Sequence, residues 1–418
     1  MNEVVSFLKK YQMSCDDINI DESLKKFEKE EEKGLSGVYS IDECSVPMIP
    51  TYLNPSIKEK KDKVIVIDAG GTNLRVGLGE YKDGKWTTTS VIESKMPGID
   101  REYSKDEFFD YIAKMTIPYL DKAVNIGFCF SYRVAMDKDL DGTLIAWAKE
   151  VKASEVVGEK VGLSLLNAIK KYSNLERKIV VLNDTTAVLL GGMSLDLKHE
   201  CDKYIGMIYG TGFNCCYIEE NKNIKKIKDL ASGDMIINTE TGNFSGFNKG
   251  LFDKELALES QIKNEALTEK MTSGKYLATL IYKALKKATC DKLISCVNLP
   301  LEKDFDLPLV SMFLNDEDTF LNDILNGHDA IVVKKICYHL IERAAKLVAT
   351  TVSSFARKSN VKKVGIIIEG STFYKLPSFK ESFEKYLDMI LRKYSIEYKL
   401  FDGRNRILIG ALMASMCK

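Results

Sequence analysis

The chain has no surplus of either charge: sixty Lys and Arg balance sixty Asp and Glu over 418 residues. That balance gives no reason to expect a nucleic acid or an acidic membrane surface as partner. Its ten cysteines include no C-x-x-C pair, and only Cys215 and Cys216 are adjacent. Such spacing suits neither a zinc site nor a disulfide framework, so reduced thiols in a cytosol are expected. No apolar run approaches the ~20 residues of a membrane span. Residues 1–10 lack a basic segment followed by an apolar one and do not read as a secretory leader. What is present is a 45% hydrophobic chain, long for one core and suited to two domains of ordinary size.

A further absence is local. Residues 64–81 read Val-Ile-Val-Ile-Asp-Ala-Gly-Gly-Thr-Asn-Leu-Arg-Val-Gly-Leu-Gly-Glu-Tyr, an apolar strand running into a glycine turn. No Lys-Ser/Thr pair and helix follow, as a Walker loop would require. Instead Leu74, Val76 and Leu78 alternate with Arg75, Gly77 and Gly79, so the chain leaves as a second strand. Gly70 and Gly71 allow the tight reversal. The turn offers backbone N–H groups and the Thr72 hydroxyl to an anion, with Arg75 close by. Asp68 at the strand end suits Mg²⁺ held through water, since that ion keeps several waters. An ordinary glycine-rich hairpin accounts for the same letters.

Residues 1–61 read as one or two amphipathic helices and an irregular arm. Phe7, Leu8 and Tyr11 share one face; Leu24, Phe27 and Leu35 form another. The run 28–33 is expected to be a solvated helix face, with Gly34 as its stop. Strands are expected at 86–96, 125–134 and 178–182, and helices near 108–115 and 162–172. The segment 142–149 contains Trp147 and Lys149, which suit either a core or a cleft. Asn183-Asp184 ends a buried strand, and locally Asp184 reads as a helix N-cap. The opening pattern recurs around Gly210-Thr211-Gly212, and a third version is expected at 361–372, ending in Gly370-Ser371-Thr372. Such repetition points to internal duplication. Two phosphate-cradling hairpins, one per half, would grip a nucleotide in the cleft between them. Residues 256–287 are strongly helical in pattern, and 329–358 reads as a long core helix.

With these segments assembled, the chain resembles a hexokinase of the eukaryotic type, in the superfamily of actin-like ATPases and sugar kinases. Asp68-Ala-Gly-Gly-Thr-Asn73-Leu-Arg75 resembles the first phosphate motif. Phe130-Ser131 and Trp147 through Lys149 resemble a sugar-binding segment, and Leu182-Asn183-Asp184-Thr185 the catalytic-base motif. Gly210-Thr211-Gly212-x-Asn214 is similar to the second phosphate motif. Asn238-Thr-Glu240 and Glu269 through Gly274 resemble the two sugar-carboxylate segments, and Gly370-Ser371-x-x-Tyr374-Lys375 the adenosine motif.

The resemblance implies two actin-like (ribonuclease H-like) α/β domains with a cleft between them. The smaller would be 62–183 plus 405–418, and the larger 1–61 plus 184–404. It implies a cytoplasmic enzyme that moves a phosphoryl group from ATP, with Mg²⁺, to the 6-hydroxyl of glucose or a similar hexose. Asp184 would be the base. Ser131, Tyr132, Lys149, Asn183, Asp184, Asn214, Glu240 and Glu269 would bind sugar. Asp68, Gly70, Gly71, Thr72, Asn73, Arg75, Gly210, Thr211, Gly212, Gly370 and Ser371 would bind the nucleotide phosphates, with Asp68 toward the metal. Departures from the family pattern include Tyr132-Arg133 for Phe-Pro, Ala148 for Thr, and Glu369 for Asp. A catalytically weak sugar sensor and an actin-like ATPase are the rival readings.

Overall fold

The computed structural model describes residues 3–37, 43–56, 62–147, 151–295 and 298–417. Two sheets organise it. The first orders its strands Lys85–Lys95, Asn73–Lys82, Val64–Ala69, Asn125–Phe130, Lys178–Leu182. The second runs Ile49–Pro50, Asp234–Asn238, Phe213–Glu220, Lys203–Tyr209, Lys363–Glu369, Glu397–Asp402. Leaving aside the short Ile49–Pro50 strand, both follow one plan. A glycine-turn hairpin extends antiparallel on one side and parallel on the other. The expected duplication is therefore visible in the topology. Val64–Ala69 is buried along its whole length, which is why it reads as an unbroken apolar run. The edge strand Lys85–Lys95 is largely exposed and rich in Thr, Ser and Lys, residues that blunt an edge.

Apolar side chains gather in three clusters. One surrounds the second sheet, the N-terminal helices Glu3–Lys10 and Ile20–Ser36, and the 32-residue helix Gly327–Lys358. There Phe27 meets Phe244 and Phe355 edge-on at 4.5 and 5.4 Å, a burial worth roughly 1.5–3 kcal/mol. A second cluster covers the far face of the first sheet. The third lies between the sheets, where helices Asp184–Met193 and Ile407–Ala414 pack together. Their contact depends on glycine: a Cβ on Gly410 would lie 1.9 Å from the Ala187 carbonyl oxygen. This helix pair forms the wall from which Asp184 projects.

Several expectations are corrected. Residues 256–287 are three helices, Leu251–Glu259, Leu267–Thr272 and Gly274–Cys290. The break occurs because Ala266 N–H donates to Asn243 Oδ1 and Thr268 Oγ1 to the Phe244 carbonyl, tertiary bonds that outweigh propensity. The third repeat runs from its strand into the short helix Ser371–Lys375, not a hairpin. Residues 125–134 form two strands, Asn125–Phe130 and Arg133–Met136. Gly34 does not stop its helix, which continues to Ser36. The glycine instead lets the Val46 carbonyl come within 2.1 Å of where a Cβ would stand. Nor is 28–33 a purely solvated face, because Glu31 is fully buried.

Candidate active site

Register places the first charged pair. Asp68 lies opposite Arg75 across the first hairpin, and Arg75 Nε and Nη2 both donate to Asp68 Oδ2, the former at 3.0 Å. Among the described residues Asp68 Oδ1 is buried with no hydrogen-bond partner. Burial pushes the Asp68 carboxyl above its ordinary range; Arg75 opposes that, and the Asp184 charge adds to it. The turn closes where Gly70 N–H donates to the Asn73 carbonyl at 3.0 Å. Thr72 and Asn73 stand exposed at its tip, with Gly71 half-buried beside them. Arg75 is thus engaged by Asp68 in a salt bridge.

Tyr132 is buried, and its phenol donates to the Gly70 carbonyl at 2.5 Å. Its ring meets Trp147 edge-on at 4.7 Å. The proton expected to serve a sugar is committed to the first glycine turn. Trp147 itself donates to the Ala153 carbonyl and packs on Phe108 and Phe130, so it is core. Ser131 follows the strand Asn125–Phe130, its N–H donating to the Ala69 carbonyl at 3.1 Å. Lys149 and Ala148 lie outside the described residues.

The second turn is held from behind. Gly210 N–H donates to the Gly212 carbonyl, while the Gly210 and Thr211 carbonyls accept from Gly274 and Lys275 at the start of a helix. Gly370 passes close by at φ 123°; a Cβ there would lie 2.1 Å from the Tyr209 carbonyl oxygen. A side chain would meet both strain and a clash. Beside the turn lies a groove of about 700 Å³ lined by Thr211, Lys275, Met312, Ser371 and Thr372.

Asp184 begins the helix Asp184–Met193, but Asn183 caps it, its Oδ1 accepting from Thr185 N–H at 2.9 Å. The local cap role belongs to Asn183, not Asp184. Asp184 is half-buried at the positive end of the helix dipole. Its charge helps raise the carboxyl pKa values of Asp68, Glu240 and Glu369, each pushed up first by burial. These acids therefore converge on one region.

The polar wall of the second sheet is a chain of amides and acids. Asn214 Nδ2 donates to Asn238 Oδ1 at 2.9 Å, and Asn238 Nδ2 to Glu240 Oε1 at 2.8 Å. Glu269 Oε2 accepts from Phe213 N–H at 3.0 Å. Asn183, Asn238 and Glu240 line one small cavity with Tyr132 and Arg133. Asn238, part of the first sugar-carboxylate segment but not among the expected sugar ligands, joins Asn214 to Glu240; its signal is an Asn closing the apolar run Met235–Ile237. Arg133 was noted only as a departure, yet its charge favours ionised Glu240. The wall presents carboxylate oxygens of the kind that accept from vicinal hydroxyls, near Asp184 and between the two glycine turns.

The fold matches solved sugar kinases. The hexokinase from Schistosoma mansoni complexed with glucose superimposes with a TM-score of 0.81 at 24% identity, covering 99% of this chain and 98% of that one. The ROK hexokinase from Thermus thermophilus gives 0.55 at 15% identity, covering 84% and 97%. Family models described as hexokinase match residues 4–194 and 204–417. The chain belongs to the hexokinase family. It is 30% identical to Hexokinase-2 of Oryza sativa subsp. japonica, covering 85% of this chain and 80% of that protein. It is 29% identical to human Hexokinase-1, covering 96% of this chain and 47% of that protein. The chain thus spans about half the length of the human relative.

Proposed function

We propose that the chain is an ATP-dependent hexokinase that phosphorylates glucose or a similar hexose at the 6-hydroxyl. The observation that carries the reading is the placement of Asp184 beside the Asn214–Asn238–Glu240 wall and near Asp68 at the first turn. A hexose would set its hydroxyls on Glu240, Glu269, Asn183 and Asn214. Asp184 would accept the proton of the attacking hydroxyl as its oxygen bonds the γ-phosphorus and ADP leaves. Backbone N–H groups of the two turns would face the phosphates, and the groove beside Ser371 has room for the nucleoside. Mg²⁺ would supply charge neutralisation on those phosphates. Asp68 fits it, because its unpartnered Oδ1 is the acceptor a metal-bound water needs.

Division into bodies 62–183 with 405–418, and 1–61 with 184–404, follows from the same reading. The helix Ile407–Ala414 packs on the first sheet and on helix Asp184–Met193, which in turn packs on the second, an arrangement that suits a joint. A cytosolic location agrees with the scattered cysteines. Coupled ADP release over a sugar panel tests the function. A hexokinase shows ADP release that requires a hexose and yields its 6-phosphate. Release independent of sugar would indicate an ATPase, and sugar binding without release a sensor.

A further inference from the structure

The cavity holding Asn183 and Glu240 continues beyond Glu240. Past Arg133 it opens into a second cavity of about 330 Å³, within the ~300–1,000 Å³ usual for small-molecule sites. One wall is Ile49, Pro50 and Tyr52, from the segment beside strand Asp234–Asn238. The facing wall is Val134, Met136 and Ile145, from the ribbon Arg133–Met136 and Gly142–Ala146. Ile145 is 47% exposed, so an apolar side chain faces solvent at the mouth.

Two cations, Arg133 and Lys226, stand in this largely apolar room, with Glu240 the one acid in its lining. Arg133 reaches toward Glu265 at 3.6 Å, with both side chains well exposed. Lys226 Nζ donates to the Pro47 carbonyl at 2.7 Å, and an ammonium has three protons to give. Among the described residues no carboxylate forms an ion pair with it. Burial pushes the Lys226 ammonium down to about 8, the mark of a cation deprived of water and lacking an anion. Lys226 has no place in the sugar or phosphate machinery described above.

We propose that this room is a second ligand site, and that its ligand is a small apolar molecule ending in a carboxylate. The apolar body lies between the two walls, and the carboxylate meets Lys226 with Arg133 beside it. The walls come from the two sides of the cleft, so occupancy and closure on a sugar affect one another reciprocally. That last clause rests on the hexokinase reading; binding of the carboxylate does not.

The test is calorimetric titration of octanoate into the full chain, with 1-octanol and octylammonium as companions. One octanoate binds per chain, and the two companions bind at least roughly tenfold more weakly, as loss of a charge-assisted bond requires. Lys226→Met weakens octanoate by a similar factor, Lys226→Arg keeps most of the affinity, and Ile145→Asp abolishes binding by placing a charge at the mouth. No saturable binding, or binding unchanged in both Lys226→Met and Ile145→Asp, overturns the site. Repeating the titration with saturating glucose shifts the octanoate affinity; an unchanged affinity overturns the coupling. Failure of glucose itself to bind strikes the proposed function and leaves the octanoate result standing.

Discussion

The two halves share a backbone plan, and two of their buried acids, one in each half, have opposite surroundings. In the first hairpin Asp68, 4% exposed, lies opposite Arg75 and shares Oδ2 with it. The same place in the second hairpin holds Ile208 opposite Asn214. In the second half Asp253 is likewise paired, with Arg343, but Glu31 is fully covered with neither carboxylate oxygen hydrogen-bonded among the described residues. Burial pushes its carboxyl up to about 8; Glu219 and Glu28 add to the effect, and Lys358 only partly offsets it. The guanidinium beside Asp68 opposes the upward push of burial on its carboxyl. Glu31, by contrast, is kept as a neutral acid. Duplication thus preserved the scaffold while the side chains beside the two turns diverged, an Asp–Arg pair at the first and Ile208 opposite Asn214 at the second.

Removing the cation from the first half is expected to have the larger effect on stability. Arg75→Met leaves Asp68 without its cation and costs about 3–5 kcal/mol, read from urea unfolding. A loss under about 1 kcal/mol would show that the pair does not set the first half apart.

In the second half the same contrast appears through pH. Glu31 in the folded chain holds its proton up to about 8, against an ordinary value of 4.5. The folded state therefore binds more protons than the unfolded state across that window, and stability falls as pH rises through it. The slope is roughly 1.4 kcal/mol per pH unit. Below the ordinary carboxyl value the contribution is fully present. Glu31→Gln removes that slope, so the stability difference between variant and wild type grows from pH 5 to pH 8 by a few kcal/mol, ~4 at most. Parallel stability curves would mean that Glu31 is partnered or solvated, and the comparison would lose its second term.

Much of this arrangement was legible in the letters. The glycine turns, the strand ending at Asn183-Asp184 and the repeat at Gly210 are local patterns, and local geometry follows from them. Glu31 was not legible, because its charged neighbours Glu28–Lys33 suggest water while helix Gly327–Lys358 covers it. The break before Glu269 was hidden for a similar reason: Asn243, more than twenty residues away, holds Ala266 where the next helix begins. Tyr132 was read as a donor to sugar because sequence shows a phenol but not that the Gly70 carbonyl lies within its reach. Tertiary partners decide each of these, and no period or motif encodes them.

The central claim is that the two halves meet at Asp184, which takes the proton of a sugar hydroxyl. Asp184→Asn keeps the shape of the side chain and removes the base. Direct sugar binding should stay within a few-fold of wild type while kcat for hexose-dependent ADP release falls by roughly 10²–10⁴. A variant that binds sugar normally and retains a tenth of wild-type turnover would contradict the account.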